Sequence, residues 1–273
     1  MRLKLWQVDA FATRALEGNP AAVVPLDSWI SDNLMLAIAG ENNLAETAYY
    51  VPEGDGFRLR WFTPSVEVNL CGHATLATAH VLFEHKGFAK DTIVFYSRSG
   101  ELRVKRSGGE LRVKRSGDEL VLDFPADVLT AVPVTNEMSR WFGTRPLEAY
   151  KGKTDYMVVF AAEKDIVGLQ PDMELIAGLP VRGVIATARG EQVDFVSRFF
   201  APQSGIAEDP VTGSAHTTLT PYWSSILHKK EMEAIQLSSR RGYLHCKDAG
   251  ARIEIGGKAK TYLSGRIYLS GRI

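Results

Sequence analysis

The chain has 273 residues, 45% of them hydrophobic and 23% charged, with Lys+Arg and Asp+Glu each totalling 32 and a formal net charge of zero. This is a globular composition with length for one large domain or two ordinary ones, and it lacks the basic excess of a nucleic-acid binder; the run KRSGGELRVKR reads as a solvated strand face. Cys71 and Cys246 make no disulfide framework, no signal peptide opens the chain and no uncharged apolar run reaches transmembrane length, so a reducing, cytoplasmic setting is expected.

Leu3–Val8 roughly alternates apolar and polar residues and predicts an opening strand. Glu17-Gly18-Asn19-Pro20 is a turn signal, and Ala21–Val24 a buried strand. Ser31-Asp32 caps a predicted helix from Asn33 to Glu41, with Leu34, Ile38 and Leu36 as its apolar face. Glu46–Val51 is rich in β-formers and Phe57–Phe62 alternates, so both read as strands. His73–Phe83 is apolar almost all round, which predicts a buried helix starting straight after Cys71-Gly72. Strands follow at Thr92–Phe95, Glu101–Lys105, Glu110–Lys114 and Glu119–Phe124, and Pro125 and Pro133 mark a crossover between lobes.

The second lobe opens with a helix at Asn136–Phe142 and a strand at Tyr156–Phe160. A short helix after Pro171 precedes strands at Gly183–Ala188 and Val193–Phe199. A helix runs from about Ser214 to Leu227, and strands close the chain at Ala234–Leu237, Gly242–Cys246, Arg252–Ile255 and Thr261–Leu263. Few helices among many strands, in a similar order twice, predict an α+β protein of two similar lobes. The first takes residues 1–125 with the C-terminal strand, about 261–273, and the second takes 126–260.

Two segments are duplicated literally: GELRVKRSG at 100–108 and 109–117, and YLSGRI at 262–267 and 268–273. Perfect identity is not what divergent structural repeats look like. Both pairs read as recent insertions or sequence artefacts, the first alternatively as an extended hairpin about Ser107-Gly108-Gly109, and no chemistry depends on either copy.

A fainter repeat carries more. Phe62, Pro64, Val68 and Cys71 match Phe200, Pro202, Ile206 and Asp209 at one spacing of 138. After a shift of three, Gly72-His73-Ala74 falls opposite Gly213-Ser214-Ala215. The expectation is two copies of one strand–turn–helix unit facing each other across a site. Free N–H groups at the start of each helix would bind a carboxylate or stabilise an enolate-like anion.

Four side chains are candidates for chemistry. Glu46 stands at an element end among apolar neighbours, where burial makes a carboxylate a general acid/base; an exposed loop glutamate is the competing reading. His73 is an acid/base or a structural hydrogen-bonding group, Cys71 a packed small hydrophobe or a reactive thiol. Asp209 precedes a turn fixed by Pro210, and Gly213-Ser214 opens the second helix. No phosphate loop, nucleophile elbow, HExxH or CxxC motif occurs, and no cofactor or metal is implied.

With Asn43-Leu44-Ala45-Glu46-Thr47, Cys71-Gly72-His73-Ala74-Thr75 and Glu208-Asp209-Pro210-Val211-Thr212-Gly213-Ser214-Ala215 in this order, the chain resembles the PhzF-like isomerase family of phenazine biosynthesis. The resemblance spans essentially the whole chain. It implies the diaminopimelate-epimerase-like fold, two pseudo-symmetric lobes, each a curved sheet or barrel around a central helix, with the active site in the cleft. The family is cofactor-independent and often dimeric. Its phenazine member shifts a proton within a dihydro-hydroxyanthranilate ring through a Glu that matches Glu46. Residues matching His73 and Asp209 assist, and backbone matching Gly72 and Gly213-Ser214 holds the substrate carboxylate. Related racemases use two facing cysteines; here Cys71 is kept and Asp209 stands in the second place. Ala45 departs from the family's usual Ser, which puts the phenazine substrate in doubt. The resemblance thus implies a proton shift on a small carboxylate substrate through Glu46. The alternatives are a racemase or epimerase using Cys71, and a non-catalytic binding protein with the same cleft.

Overall fold

The computed structural model describes residues 1–107 and 119–269. The strand expected at 110–114, the turn at Gly108-Gly109 and the second GELRVKRSG copy lie outside them, as do residues 270–273 of the second YLSGRI copy. In chain order the elements are β1 (Arg2–Ala10), β2 (Asn19–Pro25), α1 (Asp32–Asn42), β3 (Glu46–Glu53), β4 (Gly56–Phe62), β5 (Glu67–Val68), α2 (Gly72–His85), β6 (Thr92–Ser97), β7 (Gly100–Ser107), β8 (Glu119–Pro125) and β9 (Thr130–Val132). Then come α3 (Asn136–Phe142), β10 (Glu148–Lys151), β11 (Asp155–Val159), α4 (Glu163–Val167), α5 (Met173–Ala177), β12 (Gly183–Arg189), β13 (Phe195–Phe200), α6 (His216–Leu227), β14 (Glu231–Gln236), β15 (Gly242–Asp248), β16 (Arg252–Gly257) and β17 (Ala259–Tyr268). The protein is α+β, and it divides into two compact units, Met1–Asp123 with Gly256–Ile273, and Phe124–Ile255.

In the first unit β1 pairs antiparallel with both β17 and β2, β2 runs parallel to β3, and β3 is antiparallel to β4. β4 then runs parallel to β6, which continues antiparallel into β7 and β8. This mixed sheet packs on α2, whose residues are buried except His80, Glu84 and His85. Small side chains (Gly72, Ala74, Ala77, Ala79) let the strands approach closely. Thr75 and Thr78 satisfy their buried hydroxyls by donating back to the carbonyls of Cys71 and Ala74, so neither hydroxyl is stranded.

α1 starts where Ser31 Oγ accepts the Leu34 N–H at 3.3 Å and stops where Asn43 turns left-handed at φ 48°. Asn tolerates that conformation better than other side-chain-bearing residues, which makes it a natural stop. The buried face of α1 is Met35, Ile38 and Ala39. Leu34 and Leu36, expected on that face, are only partly buried and pack at its margin. The helix is apolar on more than one side, so periodicity alone could not choose between them.

In the second unit β10 lies between β9 and β11, and β11 to β15 continue as a mixed sheet. α3, α4 and α5 cover a core that includes Trp141, Phe142, Ile166, Ile176, Val184 and Phe200. α6 lays Trp223 flat on Phe195, with ring centroids 5.8 Å apart, and Trp223 Nε1 donates to Thr187 Oγ1 at 2.9 Å. Pro221 sits inside α6, where it removes the N–H that Thr217 C=O would accept. The Asp127 N–H fills that place at 3.2 Å, and Thr218 Oγ1 donates to Asp127 Oδ2 at 2.9 Å. The strands β9 and β10 and the helix α4 went unanticipated; each is five residues or fewer, too short to show a period.

The loop joining β1 to β2 holds two non-glycine residues at positive φ, Phe11 at 58° and Leu16 at 75°, and Asp9 Oδ2 fixes it by accepting the Leu16 N–H at 2.7 Å. Gly18 closes it at φ 66°, where a Cβ would stand 2.1 Å from the Ala10 carbonyl oxygen. Gly54 has a similar φ of 57° with nothing within 4 Å. Gly18→Ala should therefore destabilise the protein clearly more than Gly54→Ala, by an additional amount on the order of 1–3 kcal/mol, read as the difference in urea midpoints. Equal shifts would mean that the loop relaxes and the close approach is not a constraint.

Candidate active site

In the first unit three elements bring their first residues together. Asn43 ends α1 in the left-handed conformation, and three residues later Glu46 opens β3. Asn19 opens β2, and β2 and β3 run in parallel. Cys71 caps α2 in an extended conformation, and His73 is the second residue of that helix. Glu46 and His73 are 8% and 5% exposed, and Asn19 is fully buried. The competing reading of Glu46 as an exposed loop residue thus does not hold for the first residue of a buried strand.

His73 Nε2 stands 3.0 Å from Glu46 Oε2. The approach is off the direction of a good hydrogen bond, and neither atom has a well-directed partner among the described residues. On the other side of the ring, Nδ1 receives Asn19 Nδ2 at 3.2 Å and lies 3.5 Å from Cys71 Sγ. Burial opposes charge on His73, but the sulfur of Cys71 and the carboxylate of Glu46 outweigh it, so the imidazole holds a second proton well above the usual histidine range. Burial and the nearby Glu46 charge push the Cys71 thiol up to about 11. Near neutrality Cys71 is therefore an uncharged thiol, and the charge that favours protonated His73 there is that of Glu46.

Glu46, Cys71 and His73 offer ligand atoms within 4.8 Å of one another, a donor set that zinc accepts. The sulfur lies against Nδ1 and the carboxylate against Nε2, so the imidazole stands between the other two donors. A single ion bound in the plane of one nitrogen would need the side chains to rearrange.

The second unit holds the other expected residues. Of the acidic pair, Glu208 is structural: it takes the Arg198 guanidinium in a bidentate pair at 2.7 and 2.9 Å. Asp209 is buried, with its N–H on Phe199 C=O at 3.0 Å and its Oδ2 accepting from Thr212 Oγ1 at 2.6 Å. Gln236, fully buried at the end of β14, clamps this turn. Its Oε1 accepts the Thr212 N–H at 2.8 Å, and its Nε2 donates to Asp209 C=O at 2.7 Å and to Thr212 Oγ1 at 3.3 Å. Gly213 is buried in the 3₁₀ turn Gly213–Ala215 that leads into α6. Ser214 Oγ accepts from Arg182 Nη1 at 2.8 Å, and Arg182 also pairs with the buried Asp155.

The structure therefore groups Glu46, His73, Cys71 and Gly72 in the first unit, and Asp209, Gly213 and Ser214 in the second. Three polar residues at these places were not anticipated. Asn19 lay in a segment read only as a turn, and Arg182 in an unassigned loop. Gln236 carried a usable signal: with Met232 and Ala234 it falls on the inward register of an alternating strand, and a polar residue there needs buried partners.

Comparison with known proteins follows the same lines. The PhzC-PhzF family, described as phenazine biosynthesis-like protein, matches residues 8–265. The chain belongs to this family. An uncharacterized isomerase of Pseudomonas aeruginosa is 50% identical over 270 residues, covering 99% of this chain and 100% of its own. A PhzF-family crystal structure from Enterococcus faecalis superposes with a TM-score of 0.92 at 43% identity, covering 98% of this chain and 100% of its own. A predicted epimerase from P. aeruginosa, at 19% identity and a TM-score of 0.75 over 98% of this chain and 100% of its own, shares the fold. The fold is the epimerase-like one, and the protein is an enzyme of the isomerase class. No helix among the described residues is long and apolar enough to cross a membrane.

His216, the first residue of α6, is fully buried and its Nδ1–H donates to Thr212 C=O at 2.9 Å. Burial pushes its pKa from 6.5 down to about 4. Between those values the unfolded chain takes up a proton that the folded chain refuses. His216 thus lowers stability as pH falls from 6.5 towards 4, by up to about 3 kcal/mol, and adds no further loss below 4. His216→Asn keeps a donor for Thr212 and cannot titrate. Its urea midpoint should fall less steeply than that of the parent protein across this window, and an unchanged slope would assign the acid sensitivity elsewhere.

Proposed function

We propose that this isomerase shifts a proton on a small, carboxylate-bearing substrate without a cofactor, with Glu46 as the general acid/base. The observation that carries the reading is the buried contact of Glu46 Oε2 with His73 Nε2 at 3.0 Å. A carboxylate that removes a proton at one carbon and returns it at another needs a neighbour that tolerates both of its charge states. An imidazole at hydrogen-bond distance, with a raised affinity for a proton, supplies one. In the same reading Asp209 assists, and the backbone at Gly72 and at the Gly213-Ser214 turn receives the substrate carboxylate. Helix starts offer N–H groups of the right polarity for that task.

A racemase using Cys71 as its base is the second reading. Its support is the thiol beside His73 Nδ1, since an imidazolium is a common means of making a thiolate. A thiol pushed up to about 11 is a poor base at neutral pH, which favours Glu46.

The two readings separate in deuterated water. With a panel of small carboxylic and cyclic acids, the protein should incorporate solvent deuterium into one or more of them, read by mass. Glu46→Gln should lower the exchange by about 10²–10⁴-fold with the fold intact, the range for loss of a general acid/base. Cys71→Ala should keep most of it. Undiminished exchange in Glu46→Gln sinks the proposal, and loss in Cys71→Ala with retention in Glu46→Gln establishes the thiol reading.

A further inference from the structure

The ring of His73 is approached from three elements, and the approach from β2 has a chemical consequence. Asn19 is fully buried and its Nδ2 lies 3.2 Å from His73 Nδ1. An amide nitrogen only donates, so once the ring is neutral, on the alkaline side of its titration, Nδ1 opposite it is the bare, accepting nitrogen. The single ring proton then sits on Nε2, the nitrogen 3.0 Å from Glu46 Oε2. The Cys71 thiol also reaches Nδ1, at 3.5 Å, but a thiol is a weak donor that accepts as readily as it donates, so it does not select a tautomer.

The backbone fixes where the Asn19 side chain starts. Asn19 pairs with Ala10 at the first position of β2. Gly18 precedes it at φ 66°, and Pro20 follows, which restricts Asn19 itself to extended conformations. The strained loop held by Asp9 thus delivers one amide to one imidazole nitrogen.

We propose that Asn19 is a positioning residue that keeps His73 Nδ1 an acceptor and thereby places the proton of the neutral ring on Nε2, against Glu46. This rests on the reading of Glu46 and His73 as the proton-moving pair. The Nε2–H is the group that can stabilise the Glu46 carboxylate after it has given up a proton; the other tautomer would set a lone pair against that carboxylate and repel it.

The test reads the tautomer and needs no substrate. The whole protein, labelled with 15N-histidine, is followed by long-range 1H–15N correlation spectra on the alkaline side of the titration of His73, whose signals are assigned by their absence in His73→Gln. The parent protein and Cys71→Ala should both show protonated Nε2 and bare Nδ1, in excess by about tenfold, the ratio expected of one good hydrogen bond. Asn19→Asp, of nearly the same shape, replaces the donor with an acceptor and should reverse the tautomer, moving the proton to Nδ1. Asn19→Ala combined with Cys71→Ala should give a mixture, and this pair serves if Asn19→Asp does not fold. An unreversed tautomer in Asn19→Asp, an unmixed one in the double variant, or a tautomer already mixed in Cys71→Ala would each overturn the proposal. A reversed tautomer together with undiminished deuterium exchange in Glu46→Gln would keep Asn19 as the positioning group and remove the catalytic reading of the pair.

Discussion

A carboxylate and an imidazole that meet at 3.0 Å out of solvent set the terms for the first unit. Removing two such groups from water is costly, and their attraction repays the cost only when the geometry is good and the remaining polar atoms are satisfied. Here the geometry is off-line, and Glu46 Oε2 and His73 Nε2 lack a well-directed partner. As a device for stability the pair is poor. The proposed reading as a proton-moving pair is consistent with this, because a pair held short of its best hydrogen bond can turn towards a third group. The surrounding structure has the character of a mount: an αL stop at Asn43, a parallel pairing of β2 with β3, and a helix buried almost all round.

The second unit treats its buried acid in the opposite way. Asp209 is bound into a turn in which Thr212 and Gln236 satisfy one another, with four hydrogen bonds between 2.6 and 3.3 Å. Fully satisfied polar networks in a low-dielectric interior are rigid, and each bond strengthens its neighbours. Asp209 is thus a group with a fixed direction, while Glu46 is a group with latitude. The two buried carboxylates thus sit in opposite kinds of environment, one closely bonded and one loosely.

Much of this was legible in the chain. The cap at Ser31 and the buried helix after Cys71-Gly72 both follow from local chemistry that leaves a mark in sequence. The strand–turn–helix repeat also survives inspection: β4 ends at Phe62 and β13 at Phe200, the two matched residues. What stayed hidden is long-range. Nothing local in Gly18-Asn19-Pro20 says that the amide meets a histidine 54 residues away, since that depends on which strands pair. The buried face of α1 is legible only in part for a related reason: Ile38 lies on it as expected, but Met35 and Leu36 are both apolar, and only the sheet chooses between them.

The offset of three in the repeat now has a physical meaning. Cys71 is itself the residue before α2, while Asp209 stands three residues before Thr212, which caps the 3₁₀ turn leading into α6. The intervening Pro210 and Val211 carry the chain across, and Ser238 Oγ donates to the Pro210 carbonyl at 2.7 Å to hold it there. Exchanging a thiol for a carboxylate between two such segments is therefore more than a side-chain substitution. A thiol at a helix cap needs only room; a buried carboxylate needs donors, and the longer turn brings the Thr212 hydroxyl to Asp209 Oδ2 while Gln236 holds that turn in place. An Asp placed directly at position 71 would have no such turn and would sit beside Glu46, raising the cost of ionising both. The lobe that holds Glu46 keeps a neutral cap residue, and the lobe that holds Asp209 carries the turn that such a buried acid requires.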